Sequence, residues 1–200
     1  MQSDTELFSE HSSDDGNQKI RVAAVQMASG PSVSANLEEA LRWIEEAASR
    51  QAKLVVLPEY FCMMGMKDTD KLSIREQPGE GMIQQFLSDT ARRLKIWLVG
   101  GSVPLVSPVP DKIFNSCLVY DPKGKLAARY DKIHLFGLAL GNENFAEKRT
   151  IEAGNQVVVV DTPFGRMGLS ICYDLRFPEF FSMLAAGGPA GAELGPDGQG

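Results

Sequence analysis

Cys172 follows the apolar run Met167-Gly-Leu-Ser-Ile171 and precedes Tyr173-Asp-Leu-Arg-Phe-Pro-Glu179, a strand pattern giving way to a helix start. A thiol at such a junction stands at the strand's end, where the next helical turn offers unpaired N–H groups and the positive end of a dipole. Both favour a thiolate and a developing oxyanion, which makes Cys172 a candidate nucleophile; the plainer alternative is a small packing residue. Glu59 lies just past another apolar run, Lys53-Leu-Val-Val-Leu57, which Pro58 ends. A carboxylate held there against low-dielectric walls can act as a general base, or can be a strand-end residue bonded to a loop. Lys132, within Arg129-Tyr-Asp-Lys-Ile-His-Leu-Phe136, alternates with Ile133 and Leu135. The alternation predicts that Lys132 and His134 share one strand face, which by itself reads as a solvated sheet surface. His134 also leaves open a Cys–His hydrolase in which imidazole is the base for Cys172, although no papain-like or caspase-like signature surrounds either residue.

The elements that must position these groups follow from periodicity. Ile20–Met27 and Lys53–Leu57 read as strands, joined by a helix from Asn36 to Ala48 with Leu37, Ala40, Leu41, Ile44 and Ala48 on its apolar stripe. Asn36 with Glu39 resembles a capping box at its start. Met82, Ile83, Phe86, Leu87, Ala91 and Leu94 fall at helical spacing before a third strand, Ile96–Val99, giving a second β-α-β step. Strand-like runs at Phe114–Tyr120, Lys125–Leu135, Val157–Val160 and Met167–Cys172 then follow, separated by turn signals such as Asp121-Pro-Lys-Gly124. Helices alternating with strands, then successive hairpins, predict a layered α/β domain with a mixed sheet. A last helix starts near Phe177.

Composition bounds the partners. Two hundred residues, 44% hydrophobic and 23% charged, suffice for one domain with a real core. Residues 1–18 hold Asp4, Glu6, Glu10, Asp14 and Asp15 without a Lys or Arg, so the formal charge of −6 drops to about −1 for the remainder. That acidic segment reads as a disordered tail. A near-neutral body offers no footprint for nucleic acid, and no apolar run is long enough for a membrane span. The acidic start is unlike a signal or transit peptide, and Cys62, Cys117 and Cys172 are widely spaced and odd in number; both point to a reducing, cytoplasmic setting. Cys62 and Cys117 read as buried packing residues, and Met63-Met64-Gly-Met66 as core or pocket wall. Two histidines and no C-x-x-C pair leave no zinc motif; Gly100-Gly101 opens no G-x-G-x-x-G, and no Walker A motif exists.

Read together, Leu57-Pro-Glu59-Tyr, Tyr130-Asp-Lys132-Ile-His-Leu-Phe and Ser170-Ile-Cys172-Tyr-Asp-Leu-Arg-Phe-Pro-Glu179 resemble, in order and separation, the Glu, Lys and Cys motifs of the nitrilase superfamily of carbon-nitrogen hydrolases. Glu147, in Phe145-Ala-Glu-Lys148, matches the additional glutamate of the superfamily. The Tyr173-Asp174 that follows the cysteine resembles the amidase branch related to omega-amidase and deaminated glutathione amidase, where true nitrilases carry Trp-Glu. The resemblance covers roughly residues 19–184. It implies an α-β-β-α sandwich, four layers deep, paired into a homodimer where the domain is complete, with no metal or organic cofactor. It implies a thioester mechanism on a small-molecule amide with Glu59, Lys132, Cys172 and Glu147 as the catalytic set and the N–H of Tyr173 at the oxyanion. Arg176 is the expected clamp for a substrate carboxylate, against the alternative of an ion pair with Asp174 or Glu179. A nitrile hydrolase of the same superfamily is the neighbouring reading. The hydrolase domain is expected over 19–186. Residues 187–200 depart from the family, with Gly195-Pro-Asp-Gly-Gln-Gly200 where an apolar strand belongs, so the sandwich is expected to be incomplete at this end and the chain to be an inactive fragment if that loss loosens the site.

Overall fold

The computed structural model describes residues 19–140 and 143–187. The expected terminal segments, 1–18 and 187–200, lie outside them except for Gly187. Two β-α-β steps open the chain. β1 (Val22–Ala24) leads through α1 (Val33–Ser49) to β2 (Leu54–Val56), and α2 (Asp70–Ser73) and α3 (Met82–Leu94) lead to β3 (Trp97–Val99). β1, β2 and β3 pair in parallel, in register Val22–Leu54–Trp97. The chain then turns antiparallel: β4 (Val103–Val106) and β6 (Leu126–Asp131) flank β5 (Ile113–Tyr120). β7 (Gly137–Leu140) pairs with β8 (Glu143–Ala146), and β9 (Ile151–Glu152) joins β5 in parallel. β10 (Val159–Thr162) and β11 (Gly165–Gly168) form a separate hairpin before α4 (Pro178–Ala185).

The central sheet of seven strands is mixed, and its pleat sorts side chains into two cores. On β5, Leu118 and Tyr120 face Leu37, Ala40 and Ile44 of α1 and Ile83, Leu87 and Ala91 of α3. Cys117 and Val119 face the other way, onto Val160, Leu169, Ile171 and Phe180 from the hairpin, the segment after it and α4. One face is therefore covered by helices and the other by the start of a second sheet with a helix beyond, which is the α/β layering expected.

Several boundaries differ from the expectation. α1 begins three residues before Asn36, and its cap is Ser32, whose Oγ accepts from Ala35 N. Asn36 is instead buried in the helix, where its amide donates to the carbonyls of Gly30 and Cys62 and accepts from Gly30 N, tying the helix to the two loops beside it. β1 is three residues long rather than eight. β6 stops at Asp131, so Lys132 and His134 lie past the strand and not on a solvated face; both are buried. The run Met167–Cys172 is strand only to Gly168, and Cys172–Arg176 forms a 3-10 turn that precedes α4. Of the methionines after Glu59, Met63 is buried while Met64 and Met66 are exposed.

Candidate active site

Three segments converge on one buried ammonium. Lys132 is 1% exposed, and its Nζ lies 3.0 Å from Glu59 Oε1 and 3.0 Å from Glu147 Oε1. Burial opposes its charge, but the two carboxylates outweigh burial and hold the group above the ordinary lysine value. Its backbone is fixed at both ends: Lys132 N–H donates to Asn115 O on β5, and Gly154 N–H donates to Lys132 O.

Each carboxylate has a second anchor. Glu147 opens a short 3-10 turn; its N–H donates to Phe136 O, and its Oε2 accepts from Phe136 N–H at 2.7 Å. Glu59 Oε1 accepts from Asn115 Nδ2 at 2.8 Å. The turn carrying Glu59 is gripped from behind. Leu57 N–H donates to Val99 O and Tyr60 N–H to Ser102 Oγ, and Gly101, at φ +52, lies so close that a Cβ there would sit 2.0 Å from Pro58 O. Gly101 is the residue that lets β3–β4 press against the Glu59 turn.

Cys172 completes the group. It is exposed, with its backbone in the left-handed region at φ 48, a conformation that a non-glycine residue keeps only when its surroundings enforce it. Burial of the thiol, the charge of Glu59 and a hydrogen bond with the Glu59 side chain raise its pKa above the ordinary value, with Lys132 pulling the other way. Cys62 and Cys117 are fully enclosed, and burial pushes both thiols up to about 12. The structure thus brings together Glu59, Lys132, Glu147 and Cys172. Tyr173 follows Cys172, its N–H preceding the first bond of the 3-10 turn, Asp174 N–H to Ile171 O, and its ring edge-on to Phe136 and Phe177. Arg176 is exposed, and among the described residues neither Asp174 nor Glu179 pairs with it.

Asp174 is occupied elsewhere. Fully buried, its Oδ2 accepts from Tyr130 OH at 2.7 Å and Ile171 N–H at 2.8 Å, and its Oδ1 from His134 N–H at 3.0 Å. The same Oδ1 lies 2.7 Å from His134 Nδ1; the acid can only accept, so Nδ1 carries the proton. The imidazole is stacked on Phe177 at 3.6 Å between ring centroids. His134 therefore braces the Cys172 turn, and among the described residues no hydrogen bond joins it to Cys172. Asp174 and Asn115 escaped sequence reasoning as site-builders. A polar residue inside the buried run Ile113–Tyr120 and an acid between Tyr173 and Leu175 were the signals available, because neither type is buried without partners.

A chemical reading follows from this set: a thiol beside a carboxylate that can take its proton, and a fixed ammonium beside the same carboxylate that can neutralise an anionic oxygen. The chain is similar to several known amidases. The chain is 42% identical over 178 residues to an omega-amidase of Saccharomyces cerevisiae, covering 85% of this chain and 60% of that protein. It is 39% identical to an omega-amidase of Homo sapiens (84% and 60% covered) and 37% identical to a deaminated glutathione amidase of Yersinia enterocolitica (84% and 59%). The crystal structure of a Saccharomyces cerevisiae member of branch 10 of the nitrilase superfamily matches with a TM-score of 0.72 at 38% identity, over 84% of this chain and 60% of that one. The chain thus spans about 60% of the length of these relatives. Residues 21–190 match the family model described as carbon-nitrogen hydrolase, and with the fold in agreement, the chain belongs to that family.

Proposed function

We propose that the chain carries the centre of a thiol amidase that hydrolyses a small amide bearing a distal carboxylate. The observation that carries the reading is the buried Lys132 ammonium held 3.0 Å from both Glu59 and Glu147, with the Cys172 thiol near enough for the charge of the same Glu59 to raise its pKa. Glu59 takes the thiol proton as sulfur attacks the amide carbon; the C–S bond forms, and the carbonyl electron pair moves onto oxygen, facing Lys132 and the N–H of Tyr173. The tetrahedral species collapses, the C–N bond breaks, and Glu59 returns its proton to the leaving nitrogen, giving ammonia and a thioester. Water then attacks the thioester, passing one proton to Glu59, which delivers it to the departing sulfur. Glu147 positions Lys132 throughout.

The relatives named omega-amidase and deaminated glutathione amidase support the substrate class, and Arg176, exposed on the 3-10 turn without an acidic partner among the described residues, stays a candidate for the distal carboxylate. Unpaired thiols throughout the described residues fit a cytoplasmic enzyme. The test is ammonia release from omega-amides, 2-oxoglutaramate and deaminated glutathione among them, by the monodisperse protein. Turnover is expected in the wild-type chain and a loss of about a thousandfold or more in Cys172→Ala and Lys132→Ala, with His134→Ala retaining a soluble enzyme's rate to within about tenfold. Equal rates in the wild type and Cys172→Ala would overturn the reading.

A further inference from the structure

Glu59, Glu147 and Lys132 leave one net negative charge at the centre when both acids are ionised, a field that disfavours an anionic substrate. A second cation stands beside them. Lys71, on α2, holds its Nζ 3.9 Å from the ring centroid of Tyr60, the residue after Glu59. Lys71 is half-buried, and the charges of Glu147, Asp68, Glu59 and Lys132 all reach it, which sets it at the edge of the same centre. Yet among the described residues no carboxylate lies within ion-pair distance of it and it donates no hydrogen bond. Burial lowers its pKa, and the surrounding acids do not make up the difference, the condition of a cation short of a counter-ion. Next to it, the Tyr60 hydroxyl is buried without a hydrogen-bond partner, in a residue only 4% exposed. A desolvated ammonium and an orphan hydroxyl, side by side and within the field of the catalytic acids, are the donors that one carboxylate would satisfy.

We infer that Lys71, with the Tyr60 hydroxyl, receives the distal carboxylate of the substrate and so selects dicarboxylic acid monoamides over neutral amides. The assignment deepens the amidase reading and rests on it for the identity of the reacting end. It gives the ring contact a purpose: the Tyr60 face keeps the ammonium in place when no substrate is bound. It also ranks Lys71 above Arg176, because Arg176 is exposed to solvent that screens its charge, whereas Lys71 is partly withdrawn from water.

The test is protection of Cys172 from iodoacetamide, which reads occupancy without turnover; Cys62 and Cys117 are enclosed and do not compete. Succinate, glutarate and adipate are compared with butyrate, which lacks the distal carboxylate. In the wild type the best diacid is expected to protect at a concentration about tenfold or more below that of butyrate. Lys71→Met, which keeps the length of the side chain over Tyr60, is expected to bring that ratio to about threefold or less; Lys71→Arg restores most of it, and Tyr60→Phe has an intermediate effect. An unchanged ratio in Lys71→Met, a ratio lost in Arg176→Met instead, or no diacid preference in the wild type would each overturn the assignment. The amidase reading is decided separately by ammonia release. A chain that protects with diacid preference but frees no ammonia from any amide would sink that reading and leave the Lys71 site standing.

Discussion

At the scale of single residues, burial and the charge of Glu59, the proposed base, both oppose ionisation of the Cys172 thiol. Burial acts first, and the charge of Glu59 and its hydrogen bond act in the same direction, with Lys132 against them. The sign of a test follows. Glu59→Gln removes a negative charge and a carboxylate acceptor but leaves Lys132, so the thiolate becomes easier to form. The titration midpoint of Cys172, followed by thiolate absorbance, is expected to move down by about one unit or more, while amide turnover falls by about a thousandfold. A more ionised yet less productive thiol would show that Glu59 supplies proton transfer and not merely charge balance. A midpoint that stayed or rose would assign the high value to burial alone.

At the scale of elements, the site depends on turns more than on strands. The Glu59 turn owes its position to the close approach of Gly101 to Pro58 O, at a φ of +52 that suits glycine. Gly101→Ala adds strain and a Cβ 2.0 Å from a carbonyl oxygen, and is expected to cost about 2–4 kcal/mol in urea unfolding, with a matching loss of turnover as Glu59 shifts. A change below about 0.5 kcal/mol would mean that the turn gives way freely. Turns of this kind also mark the limit of what the chain disclosed as a string of letters. α3 was legible to the residue, since Ile83, Leu87 and Ala91 repeat at helical spacing, and β2 and β3 were nearly so. The ends of β6 and of the run before Cys172 were not, because Lys132 and Cys172 leave the strand for partners on other segments, which local periodicity does not register. Glu59, Lys132, Glu147 and Cys172 were recognisable through a resemblance of motifs. Asn115, Lys71 and the occupied state of Asp174 were not, since each is defined by contacts with residues remote in sequence. His134 shows the same effect in reverse: its spacing from Lys132 suggested a shared face, and burial sends the two to different acids.

At the scale of the whole molecule, the central sheet separates two cores that meet different halves of the chain. Its helical face is built by residues up to and including Tyr120, and its other face is closed only when the hairpin β10–β11, Ile171 and Phe180 fold back on it. The Cys172 turn therefore docks late in sequence onto a platform already carrying Glu59 and Lys132, and Asp174 is the latch. That carboxylate takes the N–H of Ile171 from one side and the N–H of His134 from the other, with no water-facing surface of its own. Two amides distant along the chain thus bond to the two oxygens of one carboxylate, which couples the segments that carry them. Native-state hydrogen exchange should find Ile171 and His134 opening as a single cooperative unit with one common free energy, and Asp174→Asn should split them into two. The nucleophile and the cation it works beside would then appear or vanish together, so that a breathing molecule presents either an assembled centre or a bare thiol with no partner, and nothing between.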